Sequence, residues 1–540
     1  MSFEYRILSS LEKVFCDEEP AAEPFELQGF QNEILSFQIA FCYQTDDPFA
    51  PYLQVSAGSD LTVRALQVRQ VPVRRPAYQD ADEHYLRKEP GLFPDLLREI
   101  TPVNLRPYPG QWESIWIEID PGERDPGDYT VDIRITDENG TEYLTYAQPV
   151  RILPGRLPAQ RLIHTQWLYT DCLARYYHVP VFSEEHWRVI EQFIRSAAGC
   201  GVNMILTPIH TPPVDTRENG ERLTTQLVDV FVENGEYRFN TDKLRRWIRM
   251  CRNCGIRYFE MAHLYTQWGA RHAPKIMATA DGVPCLLFGW STDAGSDEYR
   301  RFLNCYIPAI RQTLREEEAD ENTWWHISDE PSFEHLPSYS QAKKQVAEAL
   351  QGCHIIDALS NFDFYRQGVV TEPVVATNHV RPFLEAAVPD LWLYYCCGQH
   401  IDLSNQFIAM PYERTRIIGM QLFACRAKGF PHWGYNYYNA QLSDYPIDPY
   451  AITDGDGFTP AGDVFLVYPG NDGVPEASIR YFALREAMQD LRALEWLAGL
   501  TGREHALQLL NGITIDQWPE KQLPAIRRAI NEEIVRAVQV

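Results

Sequence analysis

Asp329 and Glu330 stand side by side in the run TWWHISDEP, residues 323–331. The apolar residues before them read as a strand. Pro331 lacks an N–H and pushes the residue before it towards extended backbone, so the strand is expected to stop there. Neighbouring strand residues point to opposite faces, so adjacent carboxylates can converge on one pocket only where a strand breaks into a loop. Such a pair can cleave a glycosidic bond: an acid protonates the leaving oxygen, and a second group supports the cationic anomeric carbon. Each anion raises its neighbour's pKa, which helps keep a proton on the acid near neutral pH. A competing reading of Asp–Glu–Pro is a solvated turn or helix start. Another makes Asp329, Glu330 and His263 ligands of a divalent metal, but no HExxH motif or close His/carboxylate cluster stands behind it. No metal and no other cofactor is expected. Cys251 and Cys254 form a CxxC inside the helix-like run TDKLRRWIRMCRNCG, with no second pair at zinc spacing, and read as buried thiols.

Aromatic residues collect just after the other apolar runs: Trp167 and Tyr169, Tyr265 and Trp268, Tyr394 and Tyr395, then Trp433, Tyr435, Tyr437 and Tyr438. Rings of this kind line ligand pockets, and a sugar's C–H face can stack on them while Asn and His bind its hydroxyls. The expected substrate-binding set is Trp167, His263, Tyr265, Asn378, Tyr395, Trp433 and Asn436, with His379 beside Asn378 and His210 as a weaker member. Strand aromatics also fill cores, so their shared strand-end position carries the argument rather than any single ring.

The elements that must position these residues change character along the chain. Residues 1–155 alternate apolar and polar in short runs such as ILSFQIAFCY, SIWIEID and GDYTVDIRITD, with DENG as a hairpin turn. They are expected to form a β-sandwich domain. LPGRLPAQR then leads into strand–helix alternation, with eight candidate strands starting IHTQWLY, VNMILTPI, IRYFEMAHLY, TWWHIS, HIIDALS, VVATNHV, LWLYYCC and PHWGYNYY. That pattern implies a parallel sheet, and residues 156–500 are expected to close into a (β/α)8 barrel. No GxGxxG follows any strand, which disfavours an open dinucleotide-binding sheet. A stretch at 210–240, with the hairpin-like QLVDVFVENGEYRF, is long enough to reach over a site. Residues 501–540 read as C-terminal helices.

Composition narrows the function classes. The chain has 540 residues, 45% of them hydrophobic, with a formal net charge of -25. No basic stripe is present, so a nucleic-acid partner is not expected, and anionic membranes would repel the surface. No run of about 18 apolar residues occurs, and the first twenty residues lack a basic region followed by an apolar run. The 12 scattered cysteines fit reduced thiols, so a cytoplasmic setting is expected. The partner expected is a small glycan or glycoside, and homo-oligomerisation is left open.

HISDEP, residues 326–331, resembles the catalytic motif of glycoside hydrolase family 123, whose characterised members are β-N-acetylgalactosaminidases. Residues 430–497 resemble the C-terminal part shared with the related domain of unknown function 4091, through HWGYNYYN, GDVFLVYPG and SIRYFALREAMQDLRALEWL, with Tyr468-Pro469-Gly470 and Ser478-Ile479-Arg480 as the most specific pieces. The resemblance implies a sandwich followed by a barrel. It also implies that Asp329 orients the substrate's 2-acetamido group, whose oxygen attacks the anomeric carbon, and that Glu330 is the general acid/base. Three functions follow as expectations. The first is a retaining exo-β-N-acetylhexosaminidase, galactosaminidase-like. The others are a glycosidase of different sugar specificity with a conventional two-carboxylate mechanism, and a non-catalytic carbohydrate-binding barrel.

Overall fold

Period-two alternation over the first 155 residues produces nine strands in two sheets. The computed structural model describes residues 2–47, 49–267, 269–516 and 521–539. The strands are β1 (Ser2–Ser9), β2 (Gln28–Phe30), β3 (Leu35–Gln44), β4 (Leu53–Gly58), β5 (Thr62–Val73), β6 (Gly91–Glu99), β7 (Trp112–Asp120), β8 (Gly127–Asp137) and β9 (Glu142–Leu153). One sheet has the order β1-β3-β7-β5-β6 and the other β2-β9-β8-β4. Phe37, Ile39, Ile115 and Ile117 from the first sheet share one apolar core with Val131, Ile133, Leu144 and Val150 from the second. β8 buries only alternate residues, as a strand with one wet face should. β3 is buried on both faces, because Ala40 and Cys42 on its far side pack with Leu8, Val14 and Trp112 and Gln38 donates to the Glu12 carbonyl at 2.7 Å. There Trp116 of β7 packs against Phe482, ring centroids 5.1 Å apart.

The strand–helix alternation closes into a barrel of eight parallel strands. In chain order they are β10 (Ile163–Gln166) and β11 (Met204–Thr207), then, after the hairpin β12 (Asp229–Glu233) and β13 (Glu236–Asn240), β14 (Tyr258–Met261). A second hairpin, β15 (Ile276–Ala280) and β16 (Val283–Phe288), precedes β17 (Thr323–Trp325), β18 (His354–Ala358), β19 (Glu372–Ala376), β20 (Trp392–Tyr394) and β21 (Gly429–His432), which pairs back with β10. Ile163, Met204, Trp324, Ile356, Val374 and Trp392 make one apolar layer across it. Side chains two residues further along a strand share its face, so Thr165, Glu260 and His326 form a polar layer above. The two hairpins pair into one sheet of order β13-β12-β15-β16 beside the barrel. The first hairpin was expected from the run QLVDVFVENGEYRF, and at its turn Asn234 (φ 52°) and Gly235 (φ 79°) take the left-handed backbone a tight two-residue turn requires. The second reads as loop in the sequence, although Asp281–Gly282 repeats the same turn.

Helices Ile479–Thr501, Arg503–Leu509 and Leu523–Val538 end the chain, the first capped by the Ser478 hydroxyl accepting from the Tyr481 N–H. Among the described residues no helix is long and apolar enough to cross a membrane. Arg480 on this first helix forks onto Asp95 of β6, with Nε to Oδ1 and Nη2 to Oδ2 both at 2.9 Å, and donates to the Gly462 and Phe465 carbonyls at 2.7 Å. The Tyr468 hydroxyl donates to Asp95 Oδ2 at 2.7 Å. Both charges are buried, so removing one strands the other. Asp95→Ala should therefore destabilise the protein by about 3–5 kcal/mol. The check is the urea midpoint, where an unchanged value would show that this clamp contributes nothing.

Candidate functional site

Barrel pairing between β14 and β17 continues past both strand ends, residue by residue. The Leu264 N–H donates to the His326 carbonyl at 3.1 Å and the Tyr265 N–H to the Ile327 carbonyl at 3.0 Å. The Ser328 hydroxyl then donates to the Thr266 carbonyl at 2.8 Å, and the Gln267 amide nitrogen to Asp329 Oδ2 at 3.0 Å. This holds Asp329, 7% exposed, at the barrel mouth. Glu330 is exposed beside it. Extended backbone was expected at Glu330. Instead its φ is +44°, a left-handed position that non-glycine residues rarely adopt. The chain breaks here by a reversal of twist rather than by extension, and the Tyr394 hydroxyl, from the end of β20, donates to Glu330 Oε1 at 2.9 Å.

His326 lies beneath this pair. Its Nε2 meets Glu260 Oε1 at 2.7 Å and its Nδ1 meets Asp357 Oδ1 at 3.3 Å. Burial opposes charge on the ring, but hydrogen bonds to Asp357 and Glu260 outweigh it and raise the pKa to about 10. The ring is thus an imidazolium donating at both ends. Glu260 also accepts from the Thr165 hydroxyl and the Trp167 indole, both at 2.9 Å. Asp357 accepts from the Ile327 N–H at 3.0 Å and from the Tyr339 hydroxyl.

Asp215, on the loop after β11, supplies a third carboxylate. Its Oδ2 accepts from the Tyr169 hydroxyl at 3.2 Å, and its backbone N–H donates to Gln267 Oε1 at 2.9 Å. Arg222 secures the loop by forking onto Asp171, at 3.0 and 2.6 Å, and by donating to the Val214 carbonyl at 3.1 Å. Burial raises the Asp215 carboxyl to about 7; Arg222 and Tyr169 pull it down, Glu330 and Asp463 push it up. Asp329 is held well above the usual carboxylate range by burial first, then by Glu330 and Asp215, with His326 opposing. On the far side, Asp463 accepts from the Trp433 indole at 3.2 Å and from His432 Nε2 at 3.3 Å. Gly434 is needed beside Trp433, since a Cβ there would meet the Asp463 carbonyl at 2.3 Å.

The expected residues divide accordingly. Asp329 and Glu330 stand at the mouth, and Trp167 and His263 lie around His326 beneath them, His263 stacking on His326 at 4.1 Å and lying edge-on to Trp167 at 5.4 Å. Both His263 ring nitrogens are buried without a partner. Trp433 joins through Asp463, its indole half-buried. Tyr395 is buried against His432, centroids 5.5 Å apart. Asn378 is exposed and accepts from the Gln399 amide at 2.9 Å. Tyr265 and Asn436 are occupied elsewhere. The Tyr265 hydroxyl donates to Gln345 Oε1 at 3.0 Å, and Asn436 clasps the Tyr169 backbone at 2.8 and 3.2 Å. His210 sits against the His263 carbonyl at 2.9 Å, and Trp268 lies outside the described residues. Sequence reasoning missed Asp215, Gln267, Asp357 and Glu260. Only Glu260 and Asp357 carried a signal, each as a charged residue inside an apolar strand.

Among the described residues, His263, His326 and Asp357 are the group whose ligand atoms lie within 4.8 Å of one another. They fit a metal poorly. Both His326 nitrogens are engaged by carboxylates, and two rings stacked within 20° of parallel cannot both direct in-plane lone pairs at one ion. The ligand set expected in sequence, Asp329 and Glu330 with His263, does not gather. Cys251 and Cys254 are free and buried.

The model of the glycoside hydrolase 123 catalytic domain matches residues 167–497. The structure of a family 123 glycoside hydrolase from Clostridium perfringens, studied for glycolipid glycan hydrolysis, superposes with a TM-score of 0.72 at 14% identity, covering 100% of this chain and 98% of that one. A β-glucuronidase from Parabacteroides merdae reaches a TM-score of 0.30 at 10% identity over 84% of this chain and 49% of its own, which is too loose to support any argument. No curated protein matches the chain.

The His326 charge has a stability signature. Its folded pKa of about 10 exceeds the unfolded value of roughly 6.5, so its contribution is full below about pH 6.5 and is lost as pH rises through about 10. Urea midpoints across that window should fall for wild type and fall less for His326→Gln. Parallel curves would show the ring to be neutral.

Proposed function

The chain belongs to glycoside hydrolase family 123 and is a glycoside hydrolase, and from that premise we propose that it is a retaining exo-β-N-acetylhexosaminidase, galactosaminidase-like, working by substrate-assisted catalysis. The observation that carries the reading is that two adjacent carboxyls have unlike surroundings: Asp329 is buried on Gln267, and Glu330 is turned outward onto Tyr394. Divergent environments assign divergent roles to such a pair. Glu330 protonates the leaving oxygen and later deprotonates the incoming water. Asp329 accepts the acetamido N–H and so aims the acetamido oxygen at the anomeric carbon. As the oxazolinium ring forms, that N–H becomes acidic, and a carboxylate of raised basicity stabilises it more. The same raised basicity sets a condition: the pair's proton must sit on Glu330 and not on Asp329. Activity should therefore fall on the acid side as Asp329 takes up a proton.

Trp433, Trp167 and His263 are proposed to contact the sugar, with Asn378 and Tyr395 further out. The two N-terminal sheets are read as a β-sandwich over 1–155, with the barrel over 156–500 and helices over 501–540. A cytoplasmic setting suits twelve cysteines that are all free, and a small glycan is the substrate that the proposed exo action implies. A conventional mechanism on another sugar would recruit Asp215, the third carboxylate at the mouth, as its second group.

A panel of 4-nitrophenyl glycosides tests the sugar, and turnover confined to substrates without an acetamido group would end the reading. Glu330→Gln should cost roughly 10²–10⁴-fold on poor leaving groups and less on activated aryl glycosides. Asp329→Asn should lower kcat more than it raises KM, because the lost interaction grows towards the transition state. A covalent sugar trapped on any carboxylate would replace this mechanism with the conventional one.

A further inference from the structure

The Gln267 amide has only one workable orientation. The Asp215 N–H takes its oxygen at 2.9 Å, which turns its nitrogen to Asp329 Oδ2 at 3.0 Å. A flipped amide would set donor against donor at Asp215 and acceptor against acceptor at Asp329, so the network itself assigns the orientation. Neither neighbour can drift away. Asp215 is fixed through its own carbonyl, which accepts from the Ser443 hydroxyl at 2.7 Å and the Tyr437 hydroxyl at 3.2 Å. Asp329 is fixed by the strand-end pairing, whose preceding rung joins Ser328 to Thr266.

We propose that Gln267 is a positioning residue for Asp329: anchored by the Asp215 backbone, it commits Oδ2 to the protein and leaves Oδ1 as the oxygen presented to the substrate. This rests on the role given to Asp329 above. A carboxylate free to rotate would offer either oxygen at varied angles and aim the acetamido group poorly. One held by a fixed donor offers a single oxygen in a single direction, which is preorganisation. The donor also favours the anionic form of Asp329. It works against Glu330 on the same turn, Asp215 on the loop after β11, Asp357 on β18 and Tyr394 on β20, and alongside the His326 cation.

Two substitutions separate positioning from simple support of the Asp215 loop. Gln267→Met keeps the length and removes both hydrogen bonds. Gln267→Glu keeps the acceptor for the Asp215 N–H but turns a carboxylate towards Asp329. Kinetics are measured on a 4-nitrophenyl N-acetylhexosaminide across pH, with melting curves to show that both variants fold. Gln267→Met should lower kcat about 10–100-fold with KM within about threefold, the size expected for one lost bond to a charged group. Gln267→Glu should lose at least as much, and the acid limb of its kcat/KM profile should move to higher pH. If Gln267→Glu matched wild type in kcat and acid limb while only Gln267→Met was impaired, Gln267 would serve the loop and the proposal would fall. A wild-type protein inactive on every acetamido sugar would instead overturn the proposed function, so the two failures are distinct.

Discussion

A protonated imidazole buried between two carboxylates fixes the geometry of this barrel mouth. His326 reaches Glu260 on β14 with one nitrogen and Asp357 on β18 with the other. Through Glu260 it is tied to Thr165 and Trp167 at the end of β10, and through Asp357 to Tyr339 on the helix after β17. One ring thus cross-links four barrel strands at the level where the apolar filling stops. Replacing a whole buried ion pair by apolar residues of similar volume is often neutral, so stability is a weak reason to expect one. Its effect is positional. The Ile327 N–H is held by the same Asp357, and two residues later the chain delivers Asp329. The imidazolium also supplies the positive charge that opposes Glu330 and Asp215 in setting the protonation of Asp329.

The distant C-terminal block has a different task. Tyr468 and Arg480, from the YPG and SIR segments, both end on Asp95 in the N-terminal sheets. Arg480 also takes the carbonyls of Gly462 and Phe465, which flank Asp463, and Asp463 holds the Trp433 indole. Residues that look like a signature in sequence therefore act as a structural clamp behind the Asp463–Trp433 segment. The clamp meets the N-terminal sheets at Asp95 on β6, whereas the second face of β3 is covered by Leu8, Val14 and Trp112, which is why it lacks the one-sided alternation of β8.

Much of this was legible in the sequence, for identifiable reasons. The strand–helix alternation gave the eight barrel strands, and the run QLVDVFVENGEYRF gave the first hairpin, because both signals are local. The carboxylate pair was legible because it follows an apolar run and precedes Pro331, although the strand itself ends at Trp325. What stayed hidden was non-local. Nothing near Asp215 or Gln267 announces that they meet, since 52 residues separate them. Tyr265 and Asn436 sit at strand ends as sugar-binding residues would, but their polar atoms are spent on Gln345 and the Tyr169 backbone. Position along a strand fixes the end of the barrel a residue occupies; it does not fix which partner its side chain finds. The left-handed Glu330 runs against the local preference before proline, and the Tyr394 hydroxyl is the contact that secures its side chain there.

The central claim is that a substrate acetamido oxygen, aimed by Asp329, is the nucleophile. It is tested most directly by substrates whose N-acetyl group carries zero, one, two or three fluorines, with the leaving group unchanged. Fluorine withdraws electrons from that oxygen without altering the protein. Neighbouring-group attack predicts that log kcat/KM falls steadily and steeply across the series. A flat series, with the trifluoroacetyl substrate as fast as the acetyl one, would contradict the account.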